Sequence, residues 1–240
     1  MINTLNESSL HKTLKSVYSL GEGNLTEQPV GNWICDIVKT DGSVIEIQTS
    51  NVSKLLPKIQ DLLHNGHSVT VVHPIIKEKK IELYNKTGTL VSSRKSPKKE
   101  TVYSIFKELT GLYSILLEKK FTLEVPEITI AECRTQTNSP SQLINRSRRF
   151  LRPWIKTDKK LIAIYDTVIF NTSRTYLALL PKNIPQVFTA QDVARGIQAV
   201  KNSSAPCSQE AHLMLWVFLR MHLIQLVKTE NRKHYYRCII

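Results

Sequence analysis

The sequence feature that most constrains the fold is the stretch CDIVKTDGSVIEIQT. Its β-branched residues on either side of Asp41-Gly42 are typical of two short strands joined by a tight turn. Acidic and amide side chains interrupt these strands at Asp36, Glu46 and Gln48. Because alternate residues of a strand share a face, Glu46 and Gln48 point the same way. The sequence therefore predicts that Asp36 approaches Glu46 at the open end of the hairpin.

Two carboxylates this close repel each other unless one is protonated or a cation bridges them. Magnesium favours oxygen ligands and often takes one or two carboxylates, with water completing its shell. We therefore predict a site for Mg²⁺ or Mn²⁺ whose ligands are Asp36, Glu46 and the backbone carbonyl of Ile47. Two other interpretations remain open at this stage. The acids can be solvated residues on an open sheet face, or they can be the remnant of a former site.

The periodicity of the surrounding chain predicts an α/β fold. Apolar residues at helical spacing indicate helices over residues 6–18, 53–64 and 101–118. Runs rich in β-branched residues indicate strands over residues 67–76 and 121–133, and residues 79–95 indicate a further hairpin. The chain is long enough to bury a sizeable core, as one large domain or two small ones.

The composition changes after Arg134, where the chain becomes polar and basic up to Lys160. We expect this segment to be a linker or an exposed arm. The last fifty or so residues predict helix, helix and β-hairpin, with Thr189 and Ser208 as helix N-caps. That order is typical of a winged helix. The predicted domains are an α/β domain at 1–135 that contains the acidic hairpin, a basic linker and strand segment at 136–172, and a winged-helix domain at 173–240.

The order of helix, acidic strand, acidic strand, helix and strand resembles the PD-(D/E)XK, or restriction-endonuclease-like, superfamily. Asp36, Glu46 and Gln48 fall on its signature positions, and Glu7 matches the acid that some members have on the first helix. The resemblance extends from about Asn6 to Pro74. The chain also resembles an uncharacterised bacterial family that combines this fold with a C-terminal winged helix.

The resemblance implies a restriction-endonuclease-like mixed sheet flanked by helices, and a metal-dependent endonuclease that hydrolyses phosphodiester bonds of DNA. Glu7, Asp36, Glu46 and Gln48 would be its catalytic residues. Most members have lysine where this chain has Gln48, although some restriction enzymes resemble it in using Glu-x-Gln. The alternative is therefore a catalytically inactive nuclease fold that binds nucleic acid or has a regulatory role. A third possibility is an interaction adaptor in a defence or mobile-element system.

The net charge of +13 and the pI near 9.6 favour a polyanionic partner. We expect nucleic acid, DNA before RNA, with an anionic membrane surface as second choice. The residues predicted to contact nucleic acid are Arg94, Lys95, Lys98, Lys99, Arg146, Arg148, Arg149, Arg152, Arg220, Arg232 and Lys233.

Other classes of protein are disfavoured. The four cysteines contain no CxxC pair, which argues against a zinc ribbon or a redox motif. No apolar run is long enough to span a bilayer, and no secretory signal is evident, so we expect a cytoplasmic protein. Cutting both strands of a duplex with one site per chain would imply a homodimer, for which the sequence offers no separate signal.

Overall fold

The computed structural model describes residues 8–142, 151–202 and 206–239. In these ranges an eight-stranded sheet and a three-stranded sheet pack with six α-helices. The strands of the large sheet are β1 (Leu25–Val30), β2 (Trp33–Val38), β3 (Val44–Ile47), β4 (Val69–Val72), β5 (Ile75–Tyr84), β6 (Leu90–Lys95), β7 (Phe121–Gln142) and β8 (Leu151–Phe170). Those of the small sheet are β9 (Phe188–Thr189), β10 (Ile224–Glu230) and β11 (Lys233–Cys238). The helices are α1 (Ser9–Tyr18), α2 (Leu56–His64), α3 (Phe106–Leu109), α4 (Ser173–Leu177), α5 (Ala190–Lys201) and α6 (Ser208–Arg220).

The large sheet is mixed, with strand order β1-β2-β3-β4-β7-β5-β6 and with β8 paired to β7. β1, β2 and β3 form an antiparallel meander, whereas the β3–β4, β4–β7 and β7–β5 pairs are parallel. A parallel connection requires a crossover, and α2 supplies the one between β3 and β4. The coarse prediction of an α/β protein with a mixed sheet flanked by helices is confirmed.

The two faces of the sheet are covered by different helices. Ile45 and Ile47 of β3 pack in one core cluster with Leu10 and Leu14 of α1. Val44 of the same strand packs in the other cluster with α2. Because alternate residues of a strand point to opposite faces, α1 and α2 lie on opposite sides of β3.

The predicted hairpin between β2 and β3 is present. Ile37 pairs with Ile45 and Val38 with Val44. Gly42 has φ of 77°, a left-handed conformation that glycine adopts without strain. The predicted first helix is also present, and Ser8 is its N-cap because its side chain accepts the amide hydrogen of His11.

The described part of the segment expected to be a linker or an exposed arm lies in two long paired strands, and residues 143–150 are outside the described ranges. β7 and β8 pair antiparallel from Leu123–Phe170 to Gln142–Leu151. The predicted boundary at residue 135 therefore falls inside β7. This hairpin has little apolar periodicity because most residues of β8 are exposed, so the interpretation as a linker was wrong.

Two other predictions need correction. The helix predicted over 101–118 is a 3₁₀ helix at Val102–Ile105 and the short α3, followed by successive turns. The strand predicted over 67–76 is two strands, because the chain leaves β4 at Val72 and begins β5 at Ile75.

The C-terminal elements follow the order α4, β9, α5, α6, β10 and β11, and the small sheet has the order β10-β11-β9. Thr189 and Asp192 form a capping box at the start of α5. α6 packs against α3 through an edge contact between Phe106 and Phe218, whose centroids are 5.4 Å apart. One continuous core cluster therefore joins these elements to the large sheet.

One stripe of α6 is exposed and includes His212, Trp216 and Arg220, whereas Leu213 and Leu219 are partly buried. Among the described residues, none of the helices is both long and apolar enough to cross a bilayer.

Candidate functional site

Asp36 and Glu46 lie on the adjacent strands β2 and β3. Each carboxylate accepts a backbone amide hydrogen of the other strand, in place of a backbone carbonyl. The amide of Asp36 donates to Glu46 Oε1 at 3.2 Å. The amide of Ile47 donates to Asp36 Oδ2 at 2.8 Å. The predicted proximity of the two acids therefore exists, and each acid satisfies a backbone donor of the opposite strand.

Glu46 is only 3% exposed and forms an ion pair with a lysine of α2. Lys58 Nζ lies 2.6 Å from Glu46 Oε1 and donates to the backbone oxygen of Ile34 at 2.6 Å. Burial raises the pKa of Glu46, and the ammonium of Lys58 offsets part of this effect. Burial also raises the pKa of the neighbouring Cys35 thiol to about 11.

Asp36 instead contacts α1. Lys15 Nζ lies 3.2 Å from Asp36 Oδ1, and His11 Nε2 lies 3.5 Å from Asp36 Oδ2. Burial acts to raise the pKa of Asp36, but the hydrogen bonds from His11 and Ile47 and the charge of Lys15 lower it to about 2. Lys15 also pairs with Glu27 on β1. Asp36 is therefore an ionised acid held by two basic side chains of one helix.

The two carboxylates diverge toward the opposite helical layers, Asp36 to α1 and Glu46 to α2. Among the described residues no group of three or more His, Cys, Asp or Glu side chains could hold a metal ion. The predicted ligand Ile47 contributes its amide to Asp36. In this arrangement Lys15 and Lys58 occupy the carboxylates that a divalent cation would need. The described residues therefore do not fit Mg²⁺ or Mn²⁺.

The other two predicted catalytic residues do not join the pair. Gln48 Nε2 donates to the backbone oxygen of Ser50 at 2.6 Å, and its own backbone oxygen accepts from His73 Nδ1 at 2.6 Å. Burial lowers the pKa of His73, which favours its neutral form. Glu7 lies outside the described residues.

Sequence reasoning missed the basic residues that hold the acids. The sequence contained a signal for the two basic residues of α1 that contact Asp36. His11 and Lys15 are four residues apart, so they share one face of α1. Lys58 follows Pro57 in the first turn of α2, a position that gave no comparable signal.

Most predicted nucleic-acid contacts are exposed. Arg94, Lys95, Lys98, Lys99 and Arg152 lie on β6, the loop after it and β8, and Arg220 lies on α6 with its guanidinium 5.3 Å from the Trp216 ring centroid. Arg146, Arg148 and Arg149 fall outside the described residues. Arg232 and Lys233 lie at the β10–β11 turn and line a cavity of about 460 Å³ between α5, α6 and β11.

A buried glutamate organises a second basic cluster on the large sheet. Glu132 is 2% exposed and contacts Lys79, Arg134 and Lys156. Burial acts to raise its pKa, but hydrogen bonds from Arg134 and Lys156 and the charges of the lysines lower it to about 2. The Arg134 guanidinium also stacks 3.7 Å from the ring centroid of Trp154. One buried acid thus holds three basic side chains near the long hairpin.

These features define an α/β protein with a mixed sheet, a carboxylate pair neutralised by lysines, and basic surfaces. Residues 8–171 match the family model described as "Domain of unknown function (DUF8091)", and the chain belongs to that family. A relative from Treponema pallidum (strain Nichols), "Uncharacterized protein", is 30% identical over 194 residues, which cover 81% of this chain and 74% of the relative. No solved structure matches the chain.

Proposed function

We propose that the protein binds nucleic acid, DNA in the first instance, through its C-terminal elements, on a nuclease-like scaffold that is catalytically inactive. The observation on which this depends is the cavity between α5, α6 and β11, which we name the wing cavity. Among the described residues that line it, no side chain is a carboxylate. Five are basic or carry an imidazole: Arg195, His212, Arg232, Lys233 and His234.

The order of the C-terminal elements supports an interpretation as a winged helix. In such modules the second and third helices precede a β-hairpin wing, and a helix and the wing both contact the duplex. Here α5 and α6 precede the β10–β11 hairpin, whose turn holds Arg232 and Lys233. Lysine and arginine side chains neutralise phosphates and release counterions, which supplies most sequence-independent affinity.

The packing of α6 limits how this module can read DNA. Ala211, Met214 and Phe218 are buried against the rest of the protein, so the helix cannot enter a groove along its whole length. Its exposed stripe contains His212, Trp216 and Arg220. We therefore propose phosphate contact from the wing and from the start of α6, with little base readout.

Fluorescence anisotropy with a labelled duplex, over a range of salt concentrations, tests the proposal. The double variant Arg232→Ala/Lys233→Ala should weaken binding and reduce the slope of log K against log salt by about 2, one unit for each lost phosphate contact. The matched control is Lys86→Ala/Lys119→Ala, which removes two exposed charges outside the wing cavity. An equal loss of affinity in both double variants would show that only net charge matters and would refute a wing site.

A second candidate function is metal-dependent phosphodiester hydrolysis, and one observation favours it. Lys58 places an ammonium beside Glu46, where it supplies the positive charge that Gln48 lacks. For this function Lys15 and Lys58 would have to release the carboxylates when the metal ion binds. Incubation of plasmid, single-stranded DNA and RNA with Mg²⁺ or Mn²⁺ tests it. Cleavage that is lost in both Asp36→Ala and Glu46→Ala would establish the enzyme, and a homodimer in solution would then be expected.

A further inference from the structure

A second cavity, of about 440 Å³, lies at the carboxyl ends of β3 and β4. Thr49 and Ser50 follow β3, and His73 follows β4. The opposite wall is formed by the 3₁₀ helix Val102–Ile105 and by Gln209 in the first turn of α6. In open α/β sheets ligands bind in the crevice outside the carboxyl ends of the strands. We name this the lysine cavity.

The lysine cavity is separate from the acidic pair, since neither Asp36 nor Glu46 lines it. Its lining holds five lysines and three glutamates, an excess of two positive charges: Lys98, Lys99, Lys107, Lys159, Lys201, Glu100, Glu108 and Glu210.

Two of the three glutamates are bound to the backbone. Glu100 Oε2 accepts the amide hydrogen of Ile76 at 3.0 Å. Glu108 Oε2 accepts the amide hydrogen of Val52 at 2.9 Å, at the start of a 3₁₀ helix. These hydrogen bonds hold the two carboxylates at the wall of the cavity. Each of these carboxylates has one oxygen bound to a backbone amide.

Several of the lysines have no acidic partner. Lys201 pairs with Glu210 at 2.8 Å, and Lys98 lies 3.7 Å from Glu100. By contrast, the ammonium groups of Lys99, Lys107 and Lys159 form no ion pair or hydrogen bond with any residue in the described ranges. A set of unpaired cations around one concave surface favours an anionic ligand.

Lys159 differs from the other two because it is only partly exposed. Burial lowers its pKa; the charges of Lys156 and Lys79 act in the same direction, and those of Glu132 and Glu100 act against it. Lys159 is therefore the least exposed of the three unpaired ammonium groups, and water competes least with an anion there.

We propose that the lysine cavity binds a phosphate group, with Lys159 as its central contact and with Lys99 and Lys107 at its rim. The phosphate belongs either to a nucleic-acid strand or to a free nucleotide, and the chemistry of recognition is the same. Ammonium groups bind phosphate as point charges and do not require the planar geometry of a guanidinium. This site does not depend on the wing cavity, so either proposal can fail without the other.

Isothermal titration calorimetry of the full chain tests the site with inorganic phosphate, adenosine monophosphate, and a dinucleotide with and without a 5′-phosphate. Lys159→Gln should weaken binding of the phosphorylated ligands by about tenfold or more, because it removes a charge-assisted hydrogen bond. Lys160→Gln is the matched control, because Lys160 does not line the cavity. Its ammonium group lies 5.9 Å from the ring centroid of Tyr84. Lys159→Arg should retain binding to within a few-fold, which separates loss of charge from loss of fold.

The ligands distinguish the source of the phosphate. Tighter binding of the 5′-phosphorylated dinucleotide than of free phosphate and mononucleotide would support the site and assign it to nucleic acid. Comparable binding of adenosine monophosphate would support it as a nucleotide site. Absence of saturable binding to the unmodified chain, or equal losses in Lys159→Gln and Lys160→Gln, would overturn the proposal.

Discussion

The ion pair between Glu46 and Lys58 allows a direct test of whether the acidic pair is structural or catalytic. Both side chains are nearly inaccessible, at 3% and 8% exposure. In Glu46→Gln the ammonium of Lys58 stays buried and loses its counter-charge, so that only neutral oxygens, those of the new amide and of the Ile34 backbone, can accept from it. Breaking a buried ion pair from one side costs about 3–5 kcal/mol. Because glutamine still accepts the amide of Asp36, we expect about 3 kcal/mol.

The reverse substitution should cost less. In Lys58→Met the carboxyl of Glu46 loses its cation, but its raised pKa allows it to become protonated at a modest cost. We expect a loss of about 2 kcal/mol. The double variant Glu46→Gln/Lys58→Met removes both charges together and should lie within about 2 kcal/mol of the unmodified protein. The resulting coupling energy is about 3 kcal/mol or more.

Urea denaturation at pH 7, followed by circular dichroism, measures all four free energies of unfolding. The expected order of stability is the unmodified chain, then the double variant and Lys58→Met, with Glu46→Gln lowest. A catalytic carboxylate behaves differently, because active sites trade stability for function and their removal is often neutral or stabilising. If Glu46→Gln equals or exceeds the unmodified chain in stability, the structural assignment of this pair is refuted.

Three further predictions concern other parts of the molecule. Glu132→Gln should lower the free energy of unfolding by about 2–3 kcal/mol at pH 7. Because its pKa in the folded protein is about 2 against 4.5 ordinarily, this contribution is present above about pH 4.5 and is lost as the pH falls toward 2; an unchanged difference at pH 2 in urea titrations would contradict it. Gly196→Ala should destabilise by about 1–3 kcal/mol, since the new Cβ would lie 2.3 Å from Pro181 Cβ; a neutral result in the same assay would show that α5 can shift. Addition of about 10 mM Mg²⁺ should change the Tm by less than about 1 °C in differential scanning fluorimetry. A rise of several degrees that Asp36→Ala abolishes would support a metal site instead.

The fold was predictable wherever local chemistry and tertiary packing agree. The β2–β3 hairpin follows from Asp41-Gly42, because the turn sequence and the pattern of β-branched residues indicate the same structure. β1 was not predicted because Pro29 interrupts its pattern. A proline is tolerated in a strand at a sheet edge, and β1 is the edge strand.

The long hairpin was not predictable for a different reason. A strand is recognised from the alternation of buried and exposed residues, but the distal part of β7 and most of β8 are exposed. Their pairing satisfies backbone hydrogen bonds and leaves no apolar signature. Similarly, the apolar spacing after Leu109 suggested a helix. There the chain forms successive four-residue turns, each closed by a hydrogen bond from the amide of residue i+3 to the carbonyl of residue i. Gly111 lies so close to Ser53 that an added Cβ would be 2.4 Å from the Ser53 Cβ.

For the candidate site, the spacing of the two acids around the turn predicted that Asp36 and Glu46 are neighbours. It did not identify Lys15 and Lys58, the lysines with which they form ion pairs. Proximity along two paired strands follows from register, which the turn determines. The direction of each side chain depends on which helix covers which face, and that is a property of the whole fold. Lys15 and Lys58 come from helices on opposite faces, so no local pattern links them to one another.

The start of α6 gives the two proposed cavities a common wall. Gln209 and Glu210 line the lysine cavity, and Ser208 and His212 line the wing cavity. Because successive residues of a helix point about 100° apart, the first turn of α6 can face both cavities at once. We propose that a nucleic-acid strand that occupies both cavities passes this helix end, with lysines on one side of it and the basic side chains of the wing cavity on the other. In that arrangement α6 would contribute mainly its first turn, in agreement with the burial of Ala211, Met214 and Phe218 along one side of the helix.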